Sequence, residues 1–180
     1  MDRERFWSIV ETANVSAGGD VERQADLLVD QLRGMSLSEI VGFHRILEGL
    51  HAETFRVELW GAALVINRWD SEDRLFCSED RFFIFRGWLV AQGRQVYEAA
   101  IADPDSLAEY PELGDGLPWG EALWGVALAA YEARTGEEIP GVAGWPGELI
   151  GGFEPLWSWQ RDQADLRRRY PRLWGRFRAS

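Results

Sequence analysis

The longest hydrophobic pattern in the chain is an apolar stripe that runs through residues 36–66 in steps of three and four. This period places the side chains on one face of an α-helix. Ser36 followed by Glu39 is a capping box, which indicates where the helix begins. Internal glycines each cost about 1 kcal/mol relative to alanine, so we expect a break or kink near residues 49–53. The stripe consists of Ile40, Phe43, Leu47, Leu50, Thr54, Val57, Gly61 and Leu64.

A second helical pattern covers residues 80–102 and predicts the central helix of the fold. Ser78 or Asp80 can accept hydrogen bonds from the first free N–H groups of this helix. Asp103 and Pro104 end it, and the same pair predicts a short helical turn as far as Glu109. The apolar positions of the central helix are Phe82, Phe85, Leu89, Val96 and Ala100.

Similar spacings and capping residues predict helices over residues 2–14, 21–33, 119–135 and 154–169. Pro171 stops the last of these and leaves a short basic, aromatic tail. Residues 136–155 form a connection rich in glycine and proline, which we expect to be irregular. No stretch alternates apolar and polar residues over enough positions to predict a long strand. Short strands near residues 139–142 remain an alternative.

The pattern therefore predicts an all-α fold, a single-domain irregular bundle of about six to seven helices that spans residues 1–180. A chain of 180 residues with 46% hydrophobic content is long enough to bury a sizeable core. Ten tryptophans and nine phenylalanines make this core aromatic, and the alternative is that some rings line a groove for a partner.

The net charge of −11 argues against a generic binder of nucleic acids or anionic membranes. The charge is uneven, because seven arginines and two aspartates give residues 160–180 a charge of +5 and leave −16 for the rest. This tail either docks onto the acidic body or serves as an arm for an acidic partner. The first residues do not resemble a signal peptide and no apolar run reaches about 18 residues, so we expect a cytoplasmic protein without a membrane segment.

Arg86 is the most unusual charged residue, because it lies within the apolar pattern of the central helix. A buried arginine needs a partner, so we expect an ion pair with a carboxylate of a neighbouring helix. The functional alternative is that Arg86 holds a carboxylate or phosphate at the mouth of a pocket.

The acidic stretch before the central helix has two interpretations. Glu79 and Asp80 fit a helix start, where negative charge complements the helix dipole. With Asp70, Glu72 and Asp73 they could instead form a pocket for a basic peptide. The spacing of a calcium loop is lacking, and we expect neither a metal ion nor a cofactor.

His44 and His51 are the only histidines, and Cys77 is the only cysteine. The histidines share a helix face but are about 10 Å apart, which is too far to bind one metal ion. We expect them to lie half-exposed on a helix flank and Cys77 to fill space in the core. The alternative, in which one histidine activates the thiol, needs an orienting group that the sequence does not identify.

Five short motifs stand out: FW at Phe6 and Trp7, Ser78 with Asp80, FRGWL from Phe85 to Leu89, QG at Gln92 and Gly93, and PDSL from Pro104 to Leu107. In this order they resemble a bacterial family known as domain-of-unknown-function family 4240. The resemblance covers about residues 1–135. It implies a small, mostly helical domain, which in this family is sometimes attached to WGR modules associated with nucleic-acid-binding proteins; no such module is evident here. It implies no activity, and no catalytic residue is carried over.

Three functions remain as hypotheses. The first is a non-catalytic module that binds a peptide or protein in an aromatic groove lined by Trp60 and Trp88, with an acidic rim at residues 70–80 that favours a basic partner. The second is a small biosynthetic enzyme, with Arg86 holding an anionic small molecule and His44, Glu79 or Asp80 transferring protons. The third is nucleic-acid association through the tail, residues 160–180.

Overall fold

The observed fold is all-α, as the periodicity predicts, in a computed structural model that describes residues 1–67, 75–113, 122–141 and 163–178. Those residues contain no strand, near 139–141 or elsewhere. A 3₁₀ helix covers Pro104–Glu109, as the Asp-Pro signal predicts, and a shorter one covers Pro111–Leu113. The α-helices are α1 (Arg3–Ala17), α2 (Val21–Arg33), α3 (Leu37–Glu53), α4 (Val57–Ile66), α5 (Glu79–Ala91), α6 (Arg94–Ala102), α7 (Ala122–Thr135), α8 (Gln163–Arg169) and α9 (Pro171–Phe177).

Helices begin where the sequence offers a side-chain cap. The Asp2 carboxylate accepts a hydrogen bond from the backbone N–H of Arg5 at 2.8 Å. Ser36 and Glu39 form the predicted capping box at the start of α3. Ser78 caps α5 by accepting from the N–H of Arg81 at 3.2 Å. These starts are predictable because each depends on residues within three positions of one another.

The long stripe over residues 36–66 is broken, as expected, but just beyond the predicted window of 49–53. Helix α3 continues to Glu53, and α4 begins at Val57. At the break, the hydroxyl of Thr54 donates to the carbonyl of His51 at 2.7 Å, which satisfies one of the last free carbonyls of α3. Gly49 lies inside α3, so the free-energy cost of a glycine in a helix interior is offset there by packing.

The predicted single central helix over residues 80–102 is wrong, because it is divided into α5 and α6 at Gly93. Gly93 has a φ of 94°, and a Cβ there would lie 2.9 Å from the Cγ of Glu11. The Glu11 carboxylate accepts from the N–H of Arg94 at 3.0 Å and so caps α6 from a neighbouring helix. The break depends on contact with α1, which helical periodicity cannot reveal.

Helices α4 and α5 lie at the centre of the core. Every residue of α4 from Leu59 and every residue of α5 from Phe82 is buried. Helix α7 packs across α2, α3 and α5, and α1 packs against α2. The second half of the stripe is therefore buried from Leu59 to Ile66.

The residues after the predicted stop at Pro171 form a further helix rather than only a short basic, aromatic tail, because Pro171 occupies the first turn of α9. Proline suits that position, where its missing N–H has no helical partner in any case. Leu173 and Phe177 anchor α9 in the core. Together with the division of the central helix, this makes the helices of the described residues more numerous than predicted. None of them is long and apolar enough to cross a membrane.

Candidate functional site

Arg86 lies in the second half of α5 and is only 7% exposed. Its Nη1 donates to the backbone carbonyl of His51 at 3.1 Å. The guanidinium carbon lies 4.8, 5.1 and 5.6 Å from the ring centroids of Phe55, Phe82 and Phe83. We call these five residues the Arg86 cluster. Burial lowers the pKa of Arg86 to about 10, so the side chain stays charged at neutral pH.

The Arg86 cluster explains how a buried cation is tolerated. His51 lies in the last turn of α3, where carbonyls lack helical partners and the helix dipole is negative. Arg86 caps this end from α5, and the three rings present their negative faces to the charge. The expected ion pair to Arg86 is not found in the described part of the chain. The residue that looked most like a binding group therefore has a structural role that accounts for its position.

Glu79 and Asp80 lie in the exposed first turn of α5, as the capping interpretation predicts. Arg86 follows Asp80 by six residues, which is about 9 Å along a helix. Arg86 is also buried, so the three side chains do not converge on one site. Asp70, Glu72 and Asp73 of the expected acidic rim lie outside the described residues.

Trp60 and Trp88 do not line an open groove, which corrects the position proposed for the binding site. They are 5% and 2% exposed. Trp60 donates its indole N–H to the carbonyl of Cys77 at 3.0 Å and stacks on Phe82, with 4.5 Å between ring centroids. Trp88 stacks on Phe85 at 5.9 Å. Both rings belong to the aromatic core, where their size is used for packing.

The two histidines are fully buried, contrary to the expected half-exposed position. His44 and His51 lie against the ring of Trp124, at centroid distances of 5.7 and 5.0 Å. Burial is the main cause that lowers both pKa values, that of His51 to about 3. Nε2 of His44 lies 3.4 Å from Glu48, but without hydrogen-bond alignment, so we regard this contact as weak. Neither ring is suited to proton transfer near neutral pH.

Cys77 fills space in the core, as predicted. It is buried, and burial raises the pKa of its thiol to about 12. The thiolate needed for nucleophilic catalysis is therefore not populated at neutral pH. No group of three or more His, Cys, Asp or Glu side chains that could hold a metal ion occurs within residues 1–67, 75–113, 122–141 and 163–178.

An open cleft of about 390 Å³ lies between α1, the end of α3, and α6, away from every predicted site residue. We call it the α1–α3–α6 cleft. Trp7 and Tyr97 form its floor; they are 4% and 2% exposed, and their ring centroids are 5.3 Å apart. Five charged side chains surround this floor. The lining residues are Arg3, Glu4, Trp7, Glu53, Arg94, Tyr97, Glu98 and Ile101.

One side of the cleft is organised by Glu53, the last residue of α3. Arg3 donates two hydrogen bonds to its carboxylate, at 3.1 and 3.0 Å. The Tyr97 hydroxyl lies 3.1 Å from the same carboxylate and 2.9 Å from the carbonyl of Leu50. The bonds from Arg3 lower the pKa of Glu53, and burial followed by the Glu53 charge raises that of Tyr97. This side is held in place by charge-assisted bonds.

The other side of the cleft is organised by Arg94, the first residue of α6. Its guanidinium contacts Glu4 at 2.6 Å and Glu98 at 2.7 Å. Glu4 and Glu98 remain 79% and 59% exposed, so these ion pairs are in water and weak. Sequence reasoning missed the cleft because its residues come from three separate segments. The one local signal is the four-residue spacing of Arg94 and Glu98, which is common on helices.

The basic tail docks onto the body, as the simpler interpretation predicts. Arg172 forms ion pairs with Asp103, Asp105 and Glu109 of the 3₁₀ helix region. Arg176 and Arg178 donate to backbone carbonyls of the body. Arg161 lies outside the described residues.

Comparisons with known proteins give one match. No curated protein and no solved structure is detectably similar to the chain. The family described as "Protein of unknown function (DUF4240)" matches residues 1–133 of the 180. The matched region includes the Arg86 cluster and the α1–α3–α6 cleft, whereas α8 and α9 lie beyond it. The chain therefore belongs to the DUF4240 family.

Proposed function

We propose that this protein is a non-catalytic helical module that binds a basic segment of a partner protein in the α1–α3–α6 cleft. The observation that supports this most is the combination of an open concavity and a rim of three carboxylates. An arginine or lysine side chain that enters the concavity can donate charge-assisted hydrogen bonds to these carboxylates. The proposal keeps the binding function inferred from the sequence and moves it to another face.

The charges of the cleft favour a basic partner. Its two arginines and three glutamates sum to −1, within a chain of net charge −11. Exposed ion pairs contribute about 0–1 kcal/mol each, so an incoming guanidinium can replace Arg94 on Glu4 or Glu98 at little cost. The long-range field of an acidic protein also speeds the approach of a positively charged segment.

The enzyme hypothesis has less support from the described residues. His44, His51 and Cys77 are buried, with pKa values displaced so that each stays neutral near pH 7. Glu79 and Asp80 are exposed and do not meet Arg86 in one pocket. Acid–base catalysis needs such groups within hydrogen-bond reach of a common substrate.

Nucleic-acid binding through the tail also has less support. Arg172, Arg176 and Arg178 are engaged with the body of the protein, which leaves them poorly placed to contact phosphates. The hypothesis predicts binding that depends strongly on salt and is lost when residues 160–180 are deleted.

The test is a fluorescence anisotropy titration with a labelled peptide of alternating arginine and serine, with the glutamate–serine peptide as the comparison. We expect only the basic peptide to bind. The double variant E4Q/E98Q removes two rim charges and should weaken binding about tenfold, which corresponds to about 1.4 kcal/mol.

The matched control is E22Q/D26N, which makes the same charge change on the exposed side of α2. We expect this control to bind like the wild type. Equal losses in both variants would show that net charge alone attracts the peptide, and no loss in E4Q/E98Q would exclude the cleft.

A further inference from the structure

Helix α9 is seated on an acceptor surface that lies wholly within the region shared by the family. The surface is formed by the carboxylates of Asp103, Asp105 and Glu109 and by backbone carbonyls at the end of α4 and around Tyr110. The family match ends at residue 133, whereas α9 begins at Pro171. The acceptor thus belongs to the family domain, and the helix that fills it belongs to the additional C-terminal part of this chain.

The buried carboxylate of Asp105 is the centre of the contact. It accepts hydrogen bonds from the backbone N–H groups of Arg172 and Leu173 at 3.0 and 2.9 Å, and from Nε of Arg172 at 3.1 Å. Tyr170, which precedes α9, provides no side-chain cap. Asp105 therefore caps a helix that belongs to a distant segment, and it is only 4% exposed when it does so.

Two further arginines match the acceptor carbonyls. Arg176 donates to the carbonyls of Ala108 and Tyr110 at 3.0 and 2.7 Å. Arg178 donates to the carbonyls of Leu64 and Val65 at 3.3 and 3.0 Å, at the C-terminal end of α4. Cations there complement the negative end of the helix dipole.

Charge and shape both specify what can occupy this surface. Among the described residues, Arg172 is the cation that pairs with these three carboxylates, so without α9 they would face each other without it. The occupant must therefore supply donors, and it must also fill the space taken by the buried Leu173 and Phe177. Charged contacts around a small apolar centre resemble an interface between separate molecules more than the interior of a domain.

We propose that this surface is a binding site for an arginine-bearing helix of a partner protein, and that α9 occupies it in this chain as an internal ligand. The chemistry of the partner is that of α9: proline and arginine in the first turn, a leucine next to them, and arginines one turn and one and a half turns further on. The site is separate from the α1–α3–α6 cleft and does not depend on the function proposed for it. Because α9 occupies the surface, a partner helix can bind there only after α9 has been released.

The first test uses the full-length variant R172E, which places a fourth carboxylate against Asp103, Asp105 and Glu109 and should release α9. The probe is a labelled synthetic peptide of residues 163–178. We expect it to bind R172E at least tenfold more tightly than the wild type, in which α9 competes at high effective concentration. A peptide that carries the same R172E change should not bind, and adding D105N to the protein should abolish binding.

Equal binding of the peptide to wild type, R172E and R172E/D105N would show nonspecific charge attraction and overturn the proposal. So would the absence of binding to a folded R172E chain. Wild-type dimers that form with rising concentration and disappear in D105N would support the surface and identify the helix of a second copy as its occupant.

A second test does not depend on the folding of R172E. A protease site introduced after Gly141 allows the intact wild-type chain to be cut once it has folded. We expect the two pieces to stay together, the labelled peptide to displace the C-terminal piece, and residues 1–141 to keep their helical circular dichroism. Loss of helicity when the C-terminal piece leaves would show that α9 is part of the fold rather than a ligand, and would overturn the proposal.

Discussion

The Arg86 cluster and the α1–α3–α6 cleft both combine arginine with aromatic rings, but the surroundings of the charge differ. Arg86 is enclosed by three phenylalanines and bonded to one backbone carbonyl. Arg94 lies at the edge of an open cleft and is bonded to two exposed carboxylates. The guanidinium of Arg86 is permanently shielded from water, whereas the guanidinium of Arg94 can exchange its carboxylate partners at little cost in free energy.

This difference shows why an unusual residue is a poor guide to a binding site. Arg86 stands out in the sequence because it interrupts an apolar pattern, and that pattern is the reason it is buried. Arg94 and Glu98 are ordinary residues of a helix surface, and they remain accessible for the same reason. Accessibility, rather than chemical rarity, separates the candidate site from the core.

The largest expected difference between the two regions is in stability. R86A should lower the free energy of unfolding by about 3 kcal/mol, because it leaves a cavity between three rings and removes one of the two donors to the His51 carbonyl, the other being the Thr54 hydroxyl. R94A should change it by no more than about 0.5 kcal/mol, because its ion pairs are exposed. Urea unfolding of both variants measures the contrast.

The isosteric variant R86M is the control for that experiment. It keeps most of the volume while removing the charge and the hydrogen bond, so we expect a loss of only about 1 kcal/mol. An R86A protein as stable as the wild type would contradict the structural role assigned to Arg86.

The next largest effect is the loss of stability on acidification, which we expect from the core rather than from the cleft because both histidines are buried in the core. The pKa of His51 is lowered to about 3 in the folded protein, against an ordinary value of 6.5. At a pH between these two pKa values the unfolded chain binds more protons than the folded protein, so the free energy of unfolding falls as the pH falls. We expect His51 alone to contribute a loss of about 2 kcal/mol between pH 7.5 and pH 5, measured by urea unfolding at each pH.

H51Q should remove this contribution, and any acid sensitivity that remains is expected from His44, whose pKa is shifted in the same direction. The cleft carboxylate Glu53 has a lowered pKa, so its contribution is lost only at more acidic pH and does not interfere. An unchanged acid sensitivity in H51Q would contradict the neutral, buried state of this ring.

A smaller effect is expected at Gly93, which joins the core helix α5 to the cleft helix α6. G93A introduces a Cβ 2.9 Å from the Cγ of Glu11 at a φ of 94°, so it should destabilise the protein by about 1–2 kcal/mol. Thermal unfolding measures this loss. Q92A, at the preceding half-buried position, is the control and should cost less. Equal effects would show that the positive φ of Gly93 is not what positions α6.

The sequence predicts those parts of the fold that depend on neighbouring residues. Ser36 with Glu39, and Ser78 with the N–H of Arg81, locate helix starts because a cap and its partner lie three residues apart. The division at Gly93 was missed because it depends on Glu11, more than eighty residues away. Periodicity reports that a face is apolar, but it does not report which tertiary contact interrupts a helix.

The candidate site was harder to predict than the fold for the same reason. Trp60 and Trp88 are equally compatible with a groove and with a core, and their burial is decided by rings from other helices. The cleft depends on the approach of Arg3, Glu53 and Tyr97 from three helices. None of these pairs is close in sequence, so no local motif marks the site.

The most direct test of the proposed binding site is nuclear magnetic resonance of the tryptophan indole N–H groups during titration with the arginine–serine peptide. Trp7 lines the cleft, whereas Trp60 and Trp88 are buried away from it. We expect the Trp7 resonance to shift in proportion to binding and those of Trp60 and Trp88 to stay unchanged. Shifts of Trp60 and Trp88 with a stationary Trp7 would contradict the account, because they would place the bound peptide in the aromatic core rather than in the cleft.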